Sequence, residues 1–110
     1  MTQHLKQYSH FDTSSEMEGA AQQHTTLHWN KMTKSDRKVL EVIVRHSEEY
    51  GAAKLRYKTI EESTGRSTAT VRRGINKLLK LNIIQKFHYF HPVRGGIDAN
   101  IYVILPIQAP

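Results

Sequence analysis

From Arg66 to Arg94 the chain carries seven basic side chains (Arg66, Arg72, Arg73, Lys77, Lys80, Lys86 and Arg94) and no acidic one. A one-signed field of this kind draws in polyanions and orients their approach. An ordinary solvated surface intersperses both signs. Two other spacings could do chemistry. Glu61 and Glu62 are adjacent acids, but neighbours on a helix point about 100° apart, a poor arrangement for paired acid–base work. His24 and His28 stand four apart and could share a metal on a helix, yet no third ligand has a suitable spacing. With no nucleophile–base pair and no glycine-rich phosphate loop either, the sequence predicts no catalysis, no metal and no cofactor.

The elements that must position these basic groups can be read from the apolar periods. Val71, Ile75, Leu78 and Leu79 recur at i, i+4, i+7 and i+8 after Ser67, a favoured N-cap, and predict a helix over 67–81. Its buried stripe leaves Thr68, Ala69, Arg72, Arg73, Asn76, Lys77 and Lys80 facing outward. Gly74 within it costs ~1 kcal/mol against alanine, which close packing on another helix would explain. A shorter helix is expected from Lys58 to about Thr64, with Ile60 facing in and Gly65 making the turn between the two. Upstream, Thr33 and Asp36 form a Thr-x-x-Asp helix start. Val39, Leu40, Ile43, Val44, Ser47 and Tyr50 then define one buried face, flanked by Val42 and His46, with Gly51 as the stop. A brief strand is expected in 52–56. After Asn82 the period becomes alternating: Ile84, Lys86, His88 and Phe90 share one face of a strand, Gln85, Phe87 and Tyr89 the other. The segment 100–105 reads as its partner strand. The loop between them has roughly eight residues, against the ~2–5 common in hairpins, and contains Arg94, Gly95 and Gly96.

The net charge of +6 is confined to the second half of the 110-residue chain, because residues 1–55 balance seven basic against seven acidic groups. One domain is expected, with a modest core, since 38% of residues are hydrophobic and the mean hydropathy is -0.57. There is no cysteine, so no disulfide framework. No apolar run approaches the ~20 residues of a membrane span, and the first ten residues lack an apolar signal core; a cytoplasmic, nucleoid-associated protein is expected. Residues 1–31 are polar, with scattered apolar groups and room for a short helix around Glu16–Gln23. They are expected to be a flexible N-terminal arm. The alternative is an arm anchored by Leu27 and Trp29 on the domain or on a second copy. The divisions are therefore 1–31 arm, 32–106 domain and 107–110 tail.

The order helix, short strand, helix–turn–helix, hairpin resembles the winged helix-turn-helix proteins of bacteria and phages. The likeness lies in Tyr57 to Ile84, where Gly65, Ser67, Thr70-Val71-Arg72 and Leu78 match the family pattern and Asn82 replaces its common glycine. Gly95-Gly96 through Tyr102 is similar to the wing and last strand. The resemblance covers roughly residues 33–105. It implies an α+β fold with three helices, a C-terminal β-hairpin wing and double-stranded DNA as partner.

In that geometry the second helix of the motif enters the major groove by its first turns. Arg72 is then the leading base reader, since a guanidinium can grip guanine O6 and N7 together, with Arg73 and Asn76 next and Ala69 beside them. Tyr57, Ser67, Thr68, Thr70, Lys77 and Lys80 would hold phosphates, and Arg66 belongs to the same DNA-binding set. Arg94 with the Gly95 backbone would follow the 91–99 wing into the minor groove or along the backbone. The competing role for Arg72 and Arg73 is a surface salt bridge to Glu61 or Glu62. The implied function is a sequence-specific transcription regulator, with a homodimer through the arm as the expected assembly. Two rivals stand beside it: the DNA-binding part of a plasmid or phage replication initiator, and a protein-interaction module docking through Phe87, Tyr89 and Tyr102.

Overall fold

The computed structural model describes residues 3–90 and 97–107. A 3-10 helix (Gln3–Tyr8) leads into α1 (Ser14–Leu27), a second 3-10 turn (Trp29–Lys31) and α2 (Lys34–His46). Strand β1 (Ala52–Leu55), helices α3 (Tyr57–Thr64) and α4 (Thr68–Lys80), and strands β2 (Ile84–Phe90) and β3 (Ile97–Ile104) complete an α+β fold. The strands form one antiparallel sheet of order β1-β3-β2, with Ala53 opposite Tyr102 and Phe87 opposite Ile101. Among the described residues there are therefore four α-helices where the resemblance implied three.

Local chemistry sets the start of α2 and the end of α4, although α2 stops at His46, short of the expected stop at Gly51. Thr33 Oγ1 accepts from the Asp36 amide while Asp36 Oδ2 accepts from the Thr33 amide, a reciprocal cap that satisfies two otherwise orphaned donors. The α2 face buries Val39, Leu40 and Ile43 as expected. It buries Val42 too, which flanks that stripe in the sequence; with sheet and helices on several sides, α2 is covered over a wider arc than one stripe. Asn82 takes the left-handed conformation, φ +59°, that ends α4 and turns the chain into β2.

The central strand β3 is covered on both faces. Tyr102 and Ile104 join the main core with Met17, Val39, Ile43, Ile60, Val71, Ile75 and Leu78. On the other side Ile101 and Val103 meet Leu5, with Tyr8, Tyr50 and Tyr89 around them. The first 3-10 helix thus caps a sheet face that would otherwise be open to water. Its ring of Tyr8 lies 5.0 Å from that of Phe87, and His4 stacks on Tyr89 at 6.0 Å. This arrangement removes Tyr102 and most of Tyr89 from the aromatic docking face read from the sequence. Tyr102 is fully buried on the inner face, where burial pushes its phenol up to about 12. Tyr89 is overlaid by His4, whereas Phe87, although its ring meets Tyr8, stays 38% exposed.

The structure also differs from a flexible arm. Thr13 and Glu16 form a second reciprocal cap that starts α1, and Met17, Ala20, Ala21 and His24 are buried against the domain. His24 Nε2 lies 2.8 Å from the Leu105 carbonyl oxygen and, protonated there, donates to it. The anchors expected from the sequence are not the ones used: Leu27 and Trp29 are 67% and 53% exposed. Large apolar residues drew attention in the sequence, whereas the helix docks through one methionine, two alanines and a hydrogen-bonded histidine.

Candidate nucleic-acid interface

The turn before α4 is built from three short-range devices. Gly65 adopts φ +69°, closed to most side chains, and its amide bonds the Glu61 carbonyl at 2.8 Å. Thr64 Oγ1 donates to the Ile60 carbonyl at 2.7 Å and accepts from the Arg66 amide. Ser67 Oγ then accepts from the Thr70 amide and caps α4. Across the turn, Arg66 Nε donates to Ser35 Oγ at 2.8 Å, tying the motif to the first turn of α2.

Helix α4 is held down by Val71, Ile75 and Leu78, all fully buried; each such side chain contributes roughly 1.5–3 kcal/mol of transfer free energy. Gly74 lies on the same face. A Cβ there would stand 3.1 Å from Val39 Cγ2 and 3.4 Å from Asp36 Oδ1, so α4 approaches α2 at this glycine. That close approach is the physical reason for a glycine within a helix.

The opposite face is the candidate interface. Thr68, Ala69, Arg72, Arg73, Asn76 and Lys80 are exposed, and the positions 69, 72, 73, 76 and 80 fall on one side of a helix at 100° per residue. Among the described residues no carboxylate pairs with Arg72, Arg73, Lys77 or Lys80. The salt bridges to Glu61 or Glu62 considered from the sequence do not form. Other residues on the expected list are partly committed. Thr70 Oγ1 accepts from both Ser67 Oγ and Arg73 Nη2; Lys77 Nζ donates to the Lys31 carbonyl at 3.3 Å. Arg66 is engaged with Ser35, and Tyr57 is half-buried against the core. Arg94 and Gly95 lie outside the described residues.

Folding adds basic groups that the sequence order separates from α4. The bonds Lys77–Lys31 and Arg66–Ser35 bring the segment 31–35 alongside the motif, and Lys31 and Lys34 are exposed there. The even charge balance of the first half concealed them. Only the i+3 cap at Thr33 hinted that the start of α2 would be ordered.

A family model for a helix-turn-helix domain matches residues 30–84, half of the chain. The protein belongs to this helix-turn-helix family, a DNA-binding class. The match spans α2, β1, α3 and α4, and ends at the first residue of β2. No curated protein and no solved structure gives a significant match.

Proposed function

We propose that this protein is a sequence-specific double-stranded DNA-binding protein of the winged type, from a bacterium or phage, and that it regulates transcription by occupying its site rather than by catalysing a reaction. The observation that carries this reading is the outward face of α4: an acid-free stripe with unpaired Arg72 and Lys80, Asn76 between them, on a helix clamped from behind through Gly74 and Val71. In the major groove Arg72 and Arg73 reach base edges and Asn76 suits adenine. Thr68, Lys77, Lys80 and the added Lys31 and Lys34 hold phosphates. The segment between β2 and β3, with Arg94 and Gly95, follows the backbone or the minor groove, a role that rests on the hairpin's resemblance alone; residues 97–99 of the expected 91–99 wing belong to β3 instead. Two copies on a two-fold site would supply the affinity one small module lacks.

Selection from a random DNA pool at two salt concentrations tests this. A recovered motif whose binding falls steeply with salt is expected. Salt-sensitive retention without a motif would leave only non-specific binding, and no retention at either salt would remove the proposal. If the recovered motif lies in a replication origin and deletion stops replication with transcription unchanged, the same interface serves initiation instead.

A further inference from the structure

Gly19 sits inside α1, where glycine weakens a helix, yet a Cβ there would meet nothing within 4 Å. Nothing among the described residues requires it. The same side of the helix carries Gln22, Gln23, Thr26 and Leu27, which with Gly19 border a shallow depression. Leu27 and, just beyond the helix, Trp29 are the most exposed large apolar side chains among the described residues.

We propose that this face is a self-association surface, in which α1 packs antiparallel on α1 of a second copy about a twofold axis at Gln23. With Gln23 opposite its own copy, the residue four places on, Leu27, falls opposite the residue four places back, Gly19. Each copy thus offers a protruding side chain and the missing Cβ that receives it, the self-complementarity an isologous contact needs. At the axis two Gln23 amides can each donate to and accept from the other. The antiparallel arrangement also opposes the helix dipoles. A parallel arrangement would set like ends together. The contact face of a single 14-residue helix is small, so the association is weak in solution, as interfaces under ~1,200 Å² generally are. The proposal rests on the DNA-binding reading only in giving the pair a use, two motifs presented to one site.

The test runs without DNA. Sedimentation equilibrium of the full chain, carried to high concentration, should show a monomer–dimer equilibrium. Gly19→Leu fills the receiving space and should weaken association at least tenfold. Because that space is open within the monomer, its melting temperature should stay level or rise. The chain has no cysteine, so Gln23→Cys places a lone thiol on the axis. Mild oxidation should link it into dimers much faster than Glu62→Cys, an exposed control on α3. A monomer at every concentration, a Gly19→Leu dimer as tight as the parent, or equal linking by the two cysteine variants overturns the proposal. A monomeric chain that still selects a DNA motif would sink the α1 pairing and leave the DNA reading standing. A dimer that binds no DNA would support the pairing and remove the DNA reading.

Discussion

Gly74→Ala measures how closely the candidate recognition helix is clamped. Two opposing effects act at this position. Alanine favours the helix by ~1 kcal/mol over glycine. Against that, the new methyl would stand 3.1 Å from Val39 Cγ2, inside the ~3.5–4.0 Å optimum for carbon contacts, so one neighbour must yield several tenths of an ångström. Neither neighbour is free to do so. Val39 is β-branched and fully buried, and Asp36 is held by its reciprocal cap with Thr33. Overpacking of this kind costs ~1–3 kcal/mol, so the net should be a loss of ~0–2 kcal/mol. Gly74→Val, with two more carbons at the same contact and poorer helix propensity, should lose clearly more. Denaturant unfolding followed by circular dichroism reads both. Removing the obstacle should reveal coupling: Val39→Ala opens a cavity and is itself destabilising, but Gly74→Ala added to it should cost less than in the parent by ~0.5 kcal/mol or more. Additive effects, or a gain of the full ~1 kcal/mol from Gly74→Ala alone, would refute the idea that close approach of α4 to α2 explains this glycine.

Further outcomes follow from the same geometry. Arg72→Ala should weaken binding to a selected site by ~1–3 kcal/mol and relax preference at one base pair, whereas Lys80→Ala should weaken all sequences alike and lower the salt slope by about one; unchanged affinity and preference in Arg72→Ala, measured by fluorescence anisotropy, would make the proposed docking wrong. Ser67→Ala, which removes the α4 cap, should lower stability by ~0.5–2 kcal/mol, and an unaltered denaturation midpoint would deny the cap any role. Burial holds the His24 imidazole below its usual 6.5, outweighing the opposite pull of the Leu105 carbonyl, and the neighbouring His28 lowers it further. The unfolded chain then binds the proton more readily, so the stability His24 contributes is whole above about pH 6.5 and is lost as pH falls below that value. Thermal melts should show a drop on acidification that is shallower in His24→Gln; equal slopes in the two proteins would count against it.

The motif was readable because each of its parts depends on neighbours in sequence. Ser67 caps a helix three residues ahead of its acceptor's partner, Gly65 supplies a left-handed turn, and Val71, Ile75 and Leu78 repeat at helical spacing. The reciprocal cap at Thr33 is local in the same way. What failed to show was non-local. Docking of α1 depends on small residues and on a histidine that meets Leu105 from the far end of the chain, and no period marks such a contact. The outer sheet face is closed by Leu5, whose partners Ile101 and Val103 are equally distant. Lys31 and Lys34 join the basic surface through bonds to Lys77 and Arg66 that sequence order hides.

The N-terminal segment changes what the domain can offer to partners. A three-stranded sheet packed on helices normally leaves one face free, and the aromatic residues of β2 would have made that face a docking site. Here Leu5, Tyr8 and His4 cover most of it, leaving Phe87 38% exposed, and α1 closes a further part of the core. Lys54 adds to the cover, its ammonium 3.6 Å from the Tyr89 ring centre. Among the described residues two further surfaces of contrasting make-up stand out: the basic face of α4 and the outer side of α1 with Leu27. Each has a different chemistry, one charged and polar, the other apolar with a glycine gap. They should therefore answer differently to salt, because screening weakens phosphate contacts steeply while leaving apolar burial almost untouched. DNA binding that collapses with added salt alongside self-association that persists is the pattern this division requires.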